Sequence, residues 1–374
     1  MRVCMVTPHL PPEQSANALL PALLGDALAR RDVRTDYVSH LRARDADLKA
    51  TYVPRRGRGT FSRSRAGAVL AGTRMALGAS RTIGANDLIH LHSNGFIVEI
   101  GAWLARRHRK PYVITLYGTD VSAYDPSRNA RFGRVVRQAA CRVFYSRGLL
   151  QHAERVGLSP QPSTVIYAPV STAFRPVDEQ TRQSTRREFG ITDEPLLLTV
   201  KRLHPVAGQE MLLRAMPAIL ANFPKTRLWI AGDGELRRDL EEKTRTLGIQ
   251  AHVRFLGRVD NLSLHRYYAA ADLFVLPSEV ESWGTVMLEA LACGTPVVTT
   301  DTVGGVEVRD TFPQDVQVVP KGMAEHLAAA VCAELHRSRR TTADTLDRIR
   351  TSFGVESCAT QYLDVYKRAL DARP

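Results

Sequence analysis

Short apolar runs alternate with helical patterns along the whole chain, and the alternation restarts near its middle. A first series of strand candidates reads Arg2–Val6, Thr35–Val38, Leu88–His92, Tyr112–Tyr117, Cys141–Tyr145 and Thr164–Tyr167. A second reads Leu196–Val200, Arg227–Ala231, Val253–Leu256, Leu273–Leu276 and Pro296–Thr300. Between them lie helical patterns at Leu19–Arg31, Gly95–His108, Gln209–Asn222, Glu235–Leu247, Leu262–Ala270 and Thr285–Ala292. Near-continuous apolar strands separated by helices predict parallel sheets of βαβ units, covered on both faces. At 374 residues the chain exceeds what one core usually holds. The expected fold is therefore α/β, with two doubly wound Rossmann-like domains facing across a cleft. The stretch Pro169–Arg187 carries two prolines, several charges and little apolar periodicity, so the junction is placed there, giving domains 1–172 and 173–354. A last helical pattern, Val355–Leu370, has Tyr362 and Tyr366 at helical spacing. It is either core of the second domain or, as residues 355–374, a return to the first.

The charge balance points to anionic partners. The formal net charge is +13, and the positive charge is mostly arginine. Such an arginine bias also follows from a GC-rich genome. The segment Lys49–Arg81 holds eight basic residues and no acid. It reads as a basic loop leading into a helix, suited to solvent or to an anionic membrane surface. No apolar run reaches the length of a membrane span, and the N-terminus lacks a signal-peptide layout, so a cytoplasmic location is expected. The five cysteines show neither metal spacing nor a disulfide framework. Cys4, Cys141 and Cys293 sit in apolar settings and read as core.

Chemistry concentrates in the string Pro277-Ser278-Glu279-Val280-Glu281-Ser282-Trp283-Gly284-Thr285-Val286-Met287-Leu288-Glu289. It follows an apolar strand and opens a helix. Glu281 falls in the loop and Glu289 in the helix, where two carboxylates can accept hydrogen bonds from two sets of sugar hydroxyls. Gly284 permits close approach of a ligand to the backbone, beside a helix start that favours anions. A solvated helix N-terminus with dipole-compatible acids is the bland alternative.

This string resembles the E-x7-E segment of family 4 retaining glycosyltransferases, which have the GT-B fold. Other segments agree, and together they cover nearly the whole chain. Val200-Lys201-Arg202-Leu203 with Gly208 resembles the family's G-R-L-x-x-x-K-G, and Ile230-Ala231-Gly232-Asp233-Gly234-Glu235-Leu236 its strand and G-x-G. Phe255-Leu256-Gly257-Arg258-Val259 resembles its base-binding turn, and Gly304-Gly305-Val306-Glu307 its G-G-x-x-E. His90-Leu91-His92 and Tyr117-Gly118-Thr119-Asp120-Val121 resemble its H-x-H strand and H-G-[ST]-[DE] loop.

The resemblance implies roles. The first domain would bind the acceptor and the second a nucleoside diphosphate sugar, as co-substrate and with no cofactor. Arg202, with Lys201 and position 207, would meet the donor's phosphates. Glu281 and the backbone near Ser282, Trp283 and Gly284 would hold the sugar, with Thr285 at the helix start. Glu289 would hold the ribose, Arg258 and Val259 the base, and Gly234 a turn against the donor. Asn17, His92, Tyr117 and Asp120 would line the acceptor side. No metal is implied. The reaction would retain the anomeric configuration, with the departing diphosphate taking the acceptor's proton.

The departures are specific. The family lysine falls on Ala207. Three readings follow: a substitution made to trap a ligand, an active-site mutant in effect; natural replacement by another base such as Lys201; or a relative without turnover. If a lysine was removed, Ala207→Lys raises turnover at least about tenfold. The family's Gly-Gly after the first strand is replaced by Pro11-Pro12-Glu13-Gln14-Ser15-Ala16-Asn17-Ala18. The histidine of H-G-[ST]-[DE] is Tyr117, which is not a base near neutral pH. The Asn-Gly pattern of the domain junction is missing around Ala168–Ser171.

The leading expectation is a glycosyltransferase acting on a small soluble acceptor, in bacterial natural-product (antibiotic) biosynthesis. The alternatives are a membrane-associated enzyme with a lipid or envelope acceptor, and a sugar-nucleotide-binding protein with little turnover. Specific nucleic-acid binding explains the charge but not the glycine and glutamate pattern. A dehydrogenase is disfavoured, because no G-x-G-x-x-G follows either first strand.

Overall fold

A computed structural model describes residues 1–11, 16–40, 50–52 and 65–372. Its apolar runs become strands because a parallel sheet hides both faces of each strand. The first sheet holds β1 (Arg2–Thr7), β2 (Arg34–Ser39), β3 (Ala50–Tyr52), β4 (Leu88–His92), β5 (Tyr112–Leu116), β6 (Cys141–Phe144) and β7 (Ser163–Val165). Its order is β3-β2-β1-β4-β5-β6-β7, all parallel. The crossovers are α1 (Ala16–Ala29), α2 (Arg65–Gly84), α3 (Phe96–Arg107), α4 (Thr119–Ser122), α5 (Ala130–Arg137) and α6 (Arg147–Arg155). Helix α3 shows why such a helix forms and seats. Ile97, Val98, Ala102, Leu104 and Ala105 fill one buried face, while Glu99 in the first turn and Arg106 and Arg107 in the last complement the dipole. Gly101 lets it lie close on the sheet, since a Cβ there would meet Val6 at 3.0 Å and Leu91 at 3.1 Å.

The second sheet holds β8 (Leu196–Val200), β9 (Arg227–Ala231), β10 (Val253–Gly257), β11 (Leu273–Leu276), β12 (Val297–Thr300) and β13 (Val316–Val319). Its order is β10-β9-β8-β11-β12-β13, again parallel. Its helices are α7 (Glu179–Glu188), α8 (Gln209–Asn222), α9 (Arg237–Thr246), α10 (Asn261–Ala270), α11 (Thr285–Ala292), α12 (Val303–Thr311), α13 (Ala324–Arg337) and α14 (Ala343–Ser352). The last helix, α15 (Val355–Asp371), belongs to the first unit, where Tyr362, Val365, Tyr366 and Ala369 join the core beside Leu24, Leu28 and Val113. The units are Met1–Pro169 with Val355–Pro374, and Val170–Gly354.

The stretch Pro169–Arg187, in which the junction is placed, contains the division between the two units and then runs into helix α7, which Asp178 caps through Thr181 N–H at 2.7 Å. Its inner face is polar. Arg186 donates to Ala270 O at 2.8 Å and to Asp272 Oδ2 at 3.0 Å, and Arg182 donates to Asp272 Oδ1 at 2.5 Å. A helix seated by guanidiniums leaves no apolar period to read. Within the basic segment, β3 and α2 are described, whereas Lys49 and residues 53–64 lie outside the described residues. Among the described residues no helix is long and apolar enough to cross a membrane.

Candidate functional site

In doubly wound sheets ligands bind outside the carboxyl ends of the strands, where the strand order reverses. In the second unit that point lies between β8 and β11. The two loops leaving these strands are locked together. The 3-10 turn Pro205–Ala207 offers Val206 O to the N–H groups of Glu279 at 2.9 Å and Val280 at 3.3 Å. Gly208 follows with φ 68°, and a Cβ there would stand 1.8 Å from Pro277 O, so only glycine fits the closure.

The same loops place the charges. Lys201 Nζ donates to Glu281 Oε2 at 2.5 Å and to Ser278 Oγ at 3.0 Å. The other carboxylate oxygen, Oε1, accepts from Ser282 N–H at 3.0 Å and Trp283 N–H at 3.4 Å. Glu281 is thus held from two sides. Arg202 is exposed, and its guanidinium has no hydrogen-bonding partner among the described residues; its carbonyl accepts from Gln209 at 3.2 Å. Ala207 is buried. Lys201 therefore supplies an ammonium to the loop on which the Ala207 turn rests.

Two glycine groups brace this arrangement from behind. A Cβ on Gly232 would meet Lys201 O at 2.0 Å, and one on Gly234 would meet Leu203 O at 2.2 Å. Gly234 so serves first by letting the turn after β9 press on the Lys201-Arg202-Leu203 loop. Gly232 N–H donates to Gly257 O at 2.7 Å, tying in the turn that carries exposed Arg258 and half-buried Val259. On the other flank Gly304 N–H donates to Glu281 O at 2.9 Å. A Cβ on Gly304 would strike Trp283 N at 2.6 Å and Ser282 C at 2.8 Å. Thr302 caps that helix by accepting from Gly305 N–H at 3.0 Å.

Helix α11 starts after Gly284 in the left-handed region, at φ 74° and ψ 65°, with Thr285 half-buried in its first turn. Its opening N–H groups lack intrahelical partners by geometry, which favours an anion there. Glu289 lies one turn further in, half-buried, and accepts from Tyr268 OH at 2.9 Å. Burial holds its carboxyl up to about 7, although the Tyr268 bond pulls the other way. Trp283 is buried and stacked on Phe353 at 5.8 Å, so what it presents to a ligand is backbone.

The first unit gathers a separate polar group at the ends of β4 and β5. His90 Nδ1 bonds Tyr366 OH and its Nε2 bonds Thr115 Oγ1, both at 2.7 Å, and Thr115 bonds Tyr362 OH at 3.0 Å. His92 Nδ1 bonds Tyr117 OH at 2.7 Å, while His92 Nε2 is buried without a partner. Burial depresses His92 to about 3, so it is a neutral imidazole. Asp120 is buried and accepts from the N–H groups of Tyr117 and Gly118 at 2.8 to 3.1 Å; it builds the turn itself. Asn17 falls in the first turn of α1, and its side chain lies outside the described residues. Among the described residues no three His, Cys, Asp or Glu side chains gather as a metal site.

Thus the structure brings Lys201, Arg202, Glu281, Ser282, Trp283 and Gly284 together, and His92, Tyr117 and Asp120 in the other unit. Sequence reading missed Ser278 and Tyr268, the partners of Lys201 and Glu289. Ser278 stood inside the two-glutamate string; Tyr268 carried no signal, because its partner is 21 positions away in another element.

The model of "Glycosyl transferases group 1" matches residues 181–341, and that of "Glycosyltransferase Family 4" matches residues 22–174. The chain is 28% identical over 309 residues to N-acetyl-alpha-D-glucosaminyl L-malate synthase of Bacillus anthracis, covering 75% of each chain. It is 33% identical over 181 residues to GDP-mannose-dependent alpha-(1-6)-phosphatidylinositol monomannoside mannosyltransferase of Mycolicibacterium smegmatis, covering 46% of this chain and 44% of that one. Four curated relatives are matched over 63, 44, 61 and 37% of their own lengths, less than two thirds in each case. Among solved structures, Anabaena Alr3699/HepE in complex with UDP and glucose shares the fold at TM-score 0.80 and 20% identity, over 98% of this chain and 99% of that one.

Proposed function

The chain belongs to the group 1, family 4 glycosyltransferases of the GT-B fold, and we propose that it moves a sugar from a nucleoside diphosphate sugar to a small soluble acceptor. The observation that carries this is the locked pair of loops after β8 and β11. They present an exposed guanidinium (Arg202), an ammonium (Lys201) and a carboxylate (Glu281) beside the start of α11. A diphosphate suits the cations and the helix start, and sugar hydroxyls suit the carboxylates. The UDP and UDP-glucose complexes of the structurally similar HepE support the nucleotide sugar as ligand.

In this reading Arg202 and Lys201 receive the departing diphosphate, Lys201 standing in for the lysine that the family places at 207. Glu281 and the Ser282–Gly284 backbone hold the sugar, Glu289 the ribose, and Arg258 with Val259 the base. His92, Tyr117 and Asp120 serve the acceptor. The C1–O bond to the diphosphate breaks and a C1–O bond to the acceptor oxygen forms on the same face. The acceptor's proton passes to the diphosphate, with retention and without a metal. Bacterial natural-product biosynthesis in the cytoplasm is the proposed setting. A thermal-shift panel of UDP-, GDP-, ADP- and dTDP-sugars tests donor binding, since a ligand of the folded state raises its Tm. A flat panel overturns the reading. Turnover in excess chelator, with the product anomer read by NMR, then tests the chemistry.

A second reading, a lipid or envelope acceptor, is favoured by the relative named for a phosphatidylinositol monomannoside. A third, binding without turnover, is favoured by Ala207 and is excluded by any transfer above background.

A further inference from the structure

Eight large apolar side chains are exposed among the described residues, and four of them share one face of the first unit. Val69, Leu70 and Leu77 on α2 are 68, 56 and 75% exposed, and Trp103 on α3 is 48% exposed. The inner face of α2, with Met75, Ala79 and Ile83, is fully committed to the core, as are Ile97, Ala102 and Leu104 of α3. The outer faces are thus not misplaced core. The two helices run side by side in the same direction. Phe96 and Ile100 flank Gly72, and His108 flanks Gly84 and bonds Ser80 at 2.9 Å. Leu77 and Trp103 therefore stand on the same side of the Ser80–His108 contact, about 4.5 and 7.5 Å before it along their axes.

The charge around this apolar strip is predominantly positive. Arg74 and Arg81 lie on the outer side of α2 and Arg107 on that of α3, all exposed, while the exposed Arg106 donates to Gln138 Oε1 at 2.6 Å. Helix α2 contains no acid. The acid of α3, Glu99, is half-buried and faces Arg131. A protein partner of ordinary composition does not call for such one-sided charge. A sheet of lipid phosphates over hydrocarbon does: leucines and a tryptophan enter the interface while guanidiniums pair with phosphate oxygens.

We propose that the outer faces of α2 and α3 dock this protein peripherally on an anionic lipid bilayer. The docking needs neither donor nor turnover, and it holds for a soluble or a lipid acceptor. Trp229 and Trp283 are buried, so Trp103 is the exposed tryptophan of the three, and its fluorescence reports on this face. The test mixes the full chain with vesicles of phosphatidylcholine alone, or with added phosphatidylglycerol, at physiological salt. Expected are co-sedimentation with the anionic vesicles, a blue shift of the emission, and quenching by brominated acyl chains. Leu70→Ser with Leu77→Ser is expected to weaken binding by at least about tenfold. Arg74→Glu with Arg81→Glu is expected to remove the preference for phosphatidylglycerol, again by about tenfold or more. An unchanged nucleotide thermal shift verifies that the variants are folded. If a variant fails to fold, quenching of Trp103 in the unaltered chain decides. Absence of binding to anionic vesicles, or binding with Trp103 unquenched, overturns the proposal. So does a dimer in solution that the leucine substitutions dissolve, because the face would then be covered by a second copy.

Discussion

Replacing Gly304 by alanine sets two effects against each other. Gly304 lies in the first turn of α12, where alanine gains up to about 1 kcal/mol in helix propensity. The new methyl, however, would stand 2.6 Å from Trp283 N, 2.8 Å from Ser282 C and 2.9 Å from Trp283 Cα. All three are backbone atoms, so no rotamer relieves the contact. Reaching ordinary van der Waals distance requires helix and loop to part by about 0.8 Å. The hydrogen bond from Gly304 N–H to Glu281 O resists that separation. Overpacking of this kind costs about 1–3 kcal/mol. The clash outweighs the propensity gain, and a net loss of about 1–2 kcal/mol remains. For a unit of this size it lowers Tm by about 2–8 °C. Calorimetry of the full chain measures it, and titration with the donor found in the thermal-shift panel measures the displaced Glu281 loop as weaker binding. A Tm equal to or above that of the unaltered chain would refute the reasoning, because α12 would then not be the brace of the loop.

Three further outcomes are expected. Lys201→Ala and Glu281→Gln each leave a half-buried partner unsatisfied and should each cost about 1–3 kcal/mol in urea unfolding; the double variant should cost less than both together, and strict additivity would show that the pair is not coupled. Lys201→Ala is expected to cut turnover at least about tenfold, and Ala207→Lys to restore part of it in that background; unaffected turnover removes Lys201 from phosphate binding. Glu289, with its carboxyl held up to about 7, binds its proton more tightly folded than unfolded, so ionising it lowers stability as pH rises from its ordinary value through about 7. Glu289→Gln should therefore raise Tm near pH 8 and change it little near pH 4; an equal effect at both would place the ionisation elsewhere.

What the sequence disclosed follows from how each element is buried. Leu88–His92, Leu196–Val200, Arg227–Ala231 and Leu273–Leu276 are legible to the residue, because central parallel strands are apolar on both faces. Strand β3 spans three residues at a sheet edge and left no pattern, and β13 carries Gln317 in its middle. Helix α7 was hidden because Arg186 and Thr185 make its buried face. At the site, residue types and spacing pointed to Glu281, Glu289 and Arg202. The pairing of Lys201 with Glu281 spans 80 positions and arises only when β8 and β11 become neighbours. The tyrosines of α15 showed helical spacing, but not that their hydroxyls would reach His90 and Thr115.

That last helix has a consequence for biogenesis. The first unit needs Tyr362 and Tyr366 to complete the polar group around His90, yet the ribosome reaches them only after the whole second unit has been synthesised. During vectorial synthesis the sheet β1–β7 therefore waits with an unfinished flank, while Val170–Gly354 can mature independently. The part of the protein made first is the part finished last.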